Sequence, residues 1–306
     1  MVQKKYILMM KKTINRLTYT LLFLLMITSY SCSNKSNDKE MTIQRKNTTA
    51  KSIYELFIDA RGCYFEILIN DVPVYFHYEV GATALRLPIN GFISKSGEQK
   101  ISLKMLSVAD GKPFPQGAEV SLTIDEYPKG EARERKTVLS YKTKPFDEKN
   151  IGVFADEKIF ASNVPYQLTD WRQGIDLTKE NPDILRKEIE KKYIEYTEAF
   201  KNADLSKYKH LTKLRQENIF TSMYYTDEQK KQAEKSYVSG IENNKIKLYP
   251  LENYKLVFYG NGKLVGLQKI KEAPGLYIDN EDEKEAFMEY ILFYRKTSNS
   301  PLEIIL

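Results

Sequence analysis

Apolar and polar residues alternate in short segments from residue 52 to about residue 144, and turn residues interrupt these segments at fairly regular intervals. The alternation is clearest at 101–105 and at 120–124, where every second residue is apolar. The pair Asn70-Asp71 separates two further segments as a hairpin turn would. A period of two places one face of each strand in a core, and about seven such strands predict an antiparallel β-sandwich over 52–144.

The period changes to that of a helix after residue 180. The sequence Asn181-Pro182-Asp183 contains an asparagine that can cap a helix, a proline that fits its first turn and an aspartate that favours its positive end. Apolar residues then recur at spacings of three or four, which predicts one buried stripe. The stripe consists of Leu185, Ile189, Tyr193, Tyr196 and Phe200.

Two more helices are predicted downstream of the first. Asp204-Leu205-Ser206 begins a second, shorter helix. Thr226 and Gln229 form a capping-box pair, which begins a third helix that ends at about Asn243.

The period of strands returns after Pro250. Segments at 254–259 and 263–270 flank Gly260-Asn261-Gly262, the strongest hairpin signal in the chain, and 286–296 and 302–306 supply two more strands. Three helices followed by an antiparallel sheet predict an α+β domain over 181–306. The predicted fold class of the whole chain is therefore α+β.

Residues 145–180 follow neither period clearly. Pro145, Pro165 and Gly174 interrupt regular structure, yet the segment is rich in aromatic residues and includes Trp171, the only tryptophan. The segment is too apolar for a solvated linker. We predict an ordered connector that packs between or across the two domains.

Two stretches resemble known folds. The sequence LPINGFISKSGEQKISL, at 87–103, has a glycine turn before an alternating strand and resembles the edge of jelly-roll and galactose-binding-like sandwiches. The sequence EYTEAFKNADL, at 195–205, resembles the first helix and turn of NTF2-like (cystatin-like roll) domains. Each resemblance implies a fold, and no binding residue is carried over from either family.

The first 31 residues have the order of a secretory signal peptide. Basic residues precede an apolar run over 17–27, and a tract of mostly small residues then leads to Cys32. The run is well short of the about 20 apolar residues that a membrane-spanning helix needs. If translation begins at Met10, the signal peptide is 10–31.

The position of Cys32 after Ser31 resembles the lipobox of bacterial lipoproteins, in which the cysteine becomes the lipidated amino terminus. The pattern prefers an aliphatic residue where this chain has Ser29, and the alternative is an ordinary secretory peptide followed by an unrelated cysteine. Polar residues without periodicity follow over 32–51, which is typical of a flexible tether. We therefore predict an exported protein, facing the periplasm or the cell surface, that lipid on Cys32 anchors to a bacterial membrane, which we expect to be the outer membrane.

Removal of the signal peptide changes the charge of the chain. The full sequence has 47 basic and 41 acidic residues. Five of the basic residues and none of the acidic ones lie in 1–31, so 42 basic residues remain against 41 acidic ones. A nearly neutral body lacks the basic excess of a nucleic-acid-binding protein, and we predict no nucleic acid partner.

Few residues of the mature chain are suited to acid–base or metal chemistry. Histidine occurs only as His77, within an aromatic strand, and as His210, on a helix face. Once Cys32 carries lipid, only Cys63 remains, so an internal disulfide cannot form; Cys63 begins an apolar strand and is predicted to be buried. Two histidines and one cysteine do not make a zinc site.

Two other patterns suggest binding chemistry only at first sight. The acidic run at 279–283 lacks the glycine and the later glutamate of a calcium loop, and we interpret it as a charged surface loop. Gly260, Gly262 and Gly266 lead into a strand rather than a helix, which indicates a hairpin and not a phosphate loop. We predict no catalytic residue, no metal site and no cofactor.

The predicted function is the binding of a protein partner without catalysis. An export signal, a lipid anchor and a complementary surface suffice for an immunity-like role, in which a toxin that reaches the periplasm is neutralised. The aromatic residues, densest at 75–78 and at Tyr224-Tyr225, also motivate a glycan-binding surface lipoprotein, although we favour core and interface packing for them. A third hypothesis is a hydrolase, which predicts two carboxylates facing each other across a deep cleft.

Overall fold

The structure is a computed structural model, and it describes residues 51–146, 152–243, 246–248, 251–280 and 285–306. The predicted signal peptide, Cys32 and residues 281–283 of the acidic run lie outside the described residues.

Eight strands form the amino-terminal part of the body. They are β1 (Ser52–Arg61), β2 (Tyr64–Ile69), β3 (Val72–His77), β4 (Ala82–Pro88), β5 (Gly97–Leu106), β6 (Glu119–Pro128), β7 (Lys136–Lys142) and β8 (Val153–Ser162). Two four-stranded antiparallel sheets result, with the orders β4-β1-β6-β7 and β3-β2-β5-β8. Alternate residues of both sheets, such as Leu56, Ile67 and Ile124, fill one shared core. The predicted β-sandwich is confirmed.

Strand β8 extends the sandwich past the boundary that the sequence suggested. Residues 145–180 were predicted to be a connector, but 153–162 pair along their whole length with β5. The alternation was hidden because two of the inward positions carry charges. Asp156 accepts hydrogen bonds from the hydroxyl of Tyr141 at 2.7 Å and from Nζ of Lys158 at 2.8 Å, which satisfies the carboxylate at the rim of the core.

Three helices follow, and their starts match the predicted caps. They are α1 (Pro182–Lys201), α2 (Leu205–Ser222) and α3 (Asp227–Asn243). The side chain of Asn181 accepts from two backbone N–H groups of the first turn of α1, and the side chain of Asp204 caps α2 by accepting from the N–H of Lys207. None of the helices in the described ranges has the length and apolar character that crossing a bilayer requires.

Helix α2 is shorter than α1, as predicted, and polar residues continue its buried side. Thr212 and Gln216 are buried where an apolar stripe would have apolar residues. Thr212 donates to the carbonyl of Tyr208 at 2.8 Å, and Gln216 donates to Oγ1 of Thr212 at 2.7 Å. Both buried polar side chains therefore find hydrogen-bond partners within the helix. Because these buried positions are polar, the sequence shows no hydrophobic periodicity there.

The remaining strands are short and make two antiparallel sheets. They are β9 (Ile246–Leu248), β10 (Lys255–Tyr259), β11 (Leu264–Gln268), β12 (Leu276–Asn280), β13 (Glu285–Glu289), β14 (Phe293–Tyr294) and β15 (Glu303–Ile304). Their orders are β10-β11-β14-β15 and β13-β12-β9. The stripe of α1 packs on the first of these sheets, where Tyr193 contacts Phe293 with 5.6 Å between ring centroids. The α+β class is confirmed.

The carboxy-terminal part packs against the turn between β2 and β3. Val72 is buried with Leu264, Leu292 and Ile305, and the N–H of Gly260 donates to the carbonyl of Asp71 at 3.2 Å. This contact joins the two parts of the body. We call it the junction, and Trp171 packs against it.

The connector, now shortened to the residues after β8, is fastened to both parts. The N–H of Leu168 donates to the carbonyl of Ser94 at 2.9 Å, and the N–H of Leu177 donates to the carbonyl of Gly262 at 2.8 Å. The segment is therefore ordered and lies across the two parts, as its aromatic content indicated.

We predict that Gly260→Ala destabilises the protein more than Gly117→Ala. Both glycines have positive φ, +57° and +79°, so an alanine strains the backbone at each position. A Cβ at residue 260 would also lie 2.3 Å from the ring of Trp171, whereas residue 117 has open space. We expect Gly117→Ala to cost about 1–2 kcal/mol and Gly260→Ala about 2–4 kcal/mol of unfolding free energy, measured by urea denaturation. Equal losses would show that the hairpin does not pack on Trp171.

Candidate functional site

A cleft of about 460 Å³ separates the sandwich from the β10–β11 hairpin. One wall is the outer face of the β3-β2-β5-β8 sheet, and the other is the exposed face of the hairpin with the turn that follows it. The junction holds the two walls in position. The volume lies within the about 300–1,000 Å³ range of ligand sites in proteins.

The sandwich wall combines an ion pair with aliphatic side chains. Glu66 and Lys104 are cross-strand neighbours on β2 and β5, with 3.1 Å between Nζ and Oε1. The next pairs along the sheet place Leu106 beside Val153. On this wall the hydroxyl of Tyr78 donates to Oε1 of Glu66, and burial together with this carboxylate raises the pKa of Tyr78 far above its usual range.

The loop after β5 forms one end of the cleft and is held rigidly. The N–H of Ser107 donates to the carbonyl of Gly152 at 2.7 Å, and its hydroxyl donates to the carbonyl of Pro113 at 3.1 Å. Gly152 has no room for a side chain, since a Cβ would lie 2.2 Å from the carbonyl oxygen of Lys112. The loop thereby presents Asp110 at the mouth of the cleft.

The hairpin wall presents lysines in fixed positions. Lys255 lies opposite Gln268 on β10 and β11. The ammonium of Lys269 stands over the rings of Tyr254 and Tyr277, at 5.0 and 5.6 Å from their centroids. Cation–π contacts of this kind orient the ammonium and restrict its rotamers.

The turn after β11 crosses the mouth of the cleft. Lys271 has φ of +58°, an uncommon conformation for a residue other than glycine. Its Nζ lies 2.7 and 2.8 Å from the two carboxylate oxygens of Asp110. This ion pair links the turn to the sandwich, and the side chain of Ile270 between the lysines is 71% exposed.

Charge and apolar exposure coincide in this cleft. Lys104 and Lys271 are paired with carboxylates. Among the described residues, Lys255 and Lys269 form no salt bridge, although the charge of Lys269 partly offsets the rise in the pKa of Glu272 that burial causes. Val153, at 61% exposed, shares the cleft with Ile270. The arrangement suits an anionic group that also carries apolar surface.

The histidines and the cysteine lie away from the cleft. Cys63 is buried in the sandwich core, and burial raises the pKa of its thiol to about 12. His210 is exposed on α2. His77 is buried on β3 against Phe65 and Tyr75, with ring centroids at 5.2 and 6.4 Å.

A pair of carboxylates lies on the other sheet, but both carboxylates form ion pairs with arginines. Glu55 and Asp125 are cross-strand neighbours on the face of β1 and β6 that points away from the core. Nη1 of Arg86 lies 3.2 Å from both, and Nη2 of Arg135 lies 2.9 Å from Glu55, which also accepts from Tyr127. The pair lies on a sheet face and has cationic partners, so it does not supply the free acid and base that glycoside hydrolysis needs.

Aromatic side chains pack inside the body. Every Phe, Tyr and Trp whose side chain is described is buried or half-buried. Tyr224 is buried with Ile53 and Tyr127, and its hydroxyl donates to the carbonyl of Ser52 at 3.1 Å. Tyr75 and His77 stack on each other and contact Phe65. Phe76 meets Tyr78 edge-on. Within the described chain, aromatic residues fill cores and the contact between the two parts.

Gly260, Gly262 and Gly266 lie in the β10–β11 hairpin, as their spacing indicated. In the described ranges, no three or more His, Cys, Asp or Glu side chains are grouped so that they could hold a metal ion.

Comparison of the chain with protein-family models, with curated proteins and with solved structures finds no match.

We predict that unfolding free energy falls between pH 7.5 and pH 5 by an amount that depends on His77. Burial lowers the pKa of His77, and its Nε2 has no hydrogen-bond partner within the described chain. The unfolded chain therefore binds more protons as the pH falls below about 6.5, so stability is lost toward acid pH. In His77→Phe this loss should be absent.

The control is His210→Gln, which changes the exposed histidine and should follow the wild type. Urea unfolding at several pH values measures all three proteins. Parallel pH curves for the wild type and His77→Phe would contradict the prediction.

Proposed function

We propose that this protein is an exported lipoprotein of a bacterial envelope that acts by binding a protein partner at the cleft. The supporting observation is that exposed Val153 and Ile270 line the same cleft as Lys255 and Lys269, two lysines that form no salt bridge within the described part of the chain. An immunity-like role, in which the partner is a toxin that reaches the periplasm, is the specific form of the proposal.

Exposure of the cleft favours a large partner over a small ligand. Small-molecule sites usually enclose about 70–90% of the ligand surface. Here Asp110 is 79% exposed, and Val153 and Ile270 are also mostly exposed. Exposed apolar side chains with a charged surround are typical of a protein contact surface.

The amino-terminal sequence supports the location. The lipobox-like Ser31-Cys32 would tether the body through residues 32–51, which end where β1 begins at Ser52. A flexible chain of this length has a root-mean-square span of about 25 Å. The cleft would therefore work close to the membrane surface.

The glycan-binding alternative receives no comparable support. A glycan-binding surface would need an exposed row of coplanar aromatic side chains. The described aromatic side chains are instead buried or half-buried. Sugar stacking needs a free ring face.

The test is site-specific photo-crosslinking of the full chain in the intact envelope. Benzoylphenylalanine replaces Ile270 in the cleft or, as the matched control, Ile184, which is 67% exposed on α1. We expect a discrete protein adduct from position 270 and none from position 184. Labelling with a fatty acid should mark the wild type and not Cys32→Ser.

Identical adduct patterns from positions 270 and 184 would contradict partner binding at the cleft. Fatty-acid label retained in Cys32→Ser would contradict the anchor.

A further inference from the structure

We propose that the cleft receives an acidic, extended segment of a partner protein, in which carboxylates flank an aliphatic side chain. This inference rests on the proposed function and specifies the chemistry of the partner. It concerns the two lysines that form no salt bridge with a described residue, the exchangeable ion pair at the mouth, and the aliphatic side chains between them.

The positive charge is local to the cleft. The mature sequence has only one more basic than acidic residue, yet the lining has four lysines and two carboxylates. Lys255 and Lys269 both line the cleft from the side of the β10–β11 hairpin and the turn that follows it. The rings of Tyr254 and Tyr277 hold Lys269, so a carboxylate that binds it restricts little further side-chain freedom.

The ion pair at the mouth can exchange its partner. Lys271 and Asp110 are both exposed, and pairs of this kind contribute little stability because water screens them. An entering carboxylate can replace Asp110 on Lys271 with no change in backbone. The left-handed conformation of Lys271 forms part of the turn that exposes Ile270.

The aliphatic side chains select a peptide over a plain polyanion. Val153 and Ile270 flank the lysines, and Leu106 and Val257 line the cleft behind them. A polyphosphate would gain from the lysines but nothing from these apolar groups. A peptide with alternating acidic and aliphatic residues gains from both, because successive side chains of an extended chain point to opposite faces.

The experiment measures binding of two fluorescent nine-residue peptides to the full mature chain by fluorescence anisotropy. In one peptide Asp and Leu alternate, and in the other Asn replaces every Asp. We expect the acidic peptide to bind at least about tenfold more tightly, with an affinity that falls as salt is added.

Two pairs of variants locate the binding site. Lys255→Glu should weaken binding of the acidic peptide at least about tenfold, whereas Lys213→Glu, the same change at a 71% exposed lysine on α2, should not. Ile270→Ser should weaken binding, and Ile184→Ser should not. Lys255 is exposed and forms no ion pair with the described carboxylates, so its reversal should leave the circular dichroism spectrum and melting temperature unchanged.

Equal binding of the two peptides, or equal effects within either pair of variants, would overturn the inference. So would tighter binding of polyphosphate or of phosphatidylglycerol vesicles with the same dependence on Lys255. If neither peptide binds but position 270 still crosslinks to a protein, the inference that the partner segment is acidic is wrong and partner binding at the cleft stands. If the peptide binds and no crosslink forms, the proposed function is wrong.

Discussion

The contact on which this structure depends is the packing of the β10–β11 hairpin and its neighbours against the turn between β2 and β3. Val72 is buried there among Leu264, Leu292 and Ile305, and the N–H of Gly260 donates to the carbonyl of Asp71. Without this junction the two walls of the cleft would have no fixed distance. Its energy comes mainly from apolar burial, at about 25 cal/mol per Å² removed from water.

Other contacts keep the two parts aligned around the junction. The hydroxyl of Tyr224, at the end of α2, donates to the carbonyl of Ser52, and Nζ of Lys129 donates to the carbonyl of Tyr224. Within the carboxy-terminal part, Arg215 pairs with Glu289 at 2.7 Å and contacts the hydroxyl of Tyr196. The pair is partly buried, so removal of either side chain would leave the other charge only partly compensated by water.

Local sequence patterns predicted the helices and turns well where short-range interactions alone determine the structure. The cap at Asn181, the capping box of Thr226 and Gln229, and the turn at Asn70-Asp71 all depend on short-range chemistry, and all are present. Strand β8 was missed because charged side chains point inward at its rim. Only part of the packed side of α2 could be predicted, because buried polar residues continue it.

The cleft could not be predicted, because its residues are far apart in the sequence. Lys104, Val153 and Lys269 come together only when the junction forms, and no spacing within one segment indicates this contact. One local signal was present, since an isoleucine between Lys269 and Lys271 in a polar turn has no core to join. The predicted lipid site at Cys32 is a different case: its pattern is local, and it stays a prediction.

The most direct test of this account asks whether the junction unfolds together with the body. Trp171, the only tryptophan, packs at the junction, so its fluorescence reports that contact, while far-ultraviolet circular dichroism reports all helices and strands. If the junction joins the two parts into one cooperative unit, the two signals will give coincident urea transitions with the same midpoint. A fluorescence transition at clearly lower urea than the circular dichroism transition would show that the parts separate before they unfold, and that the cleft is not a fixed feature of the protein.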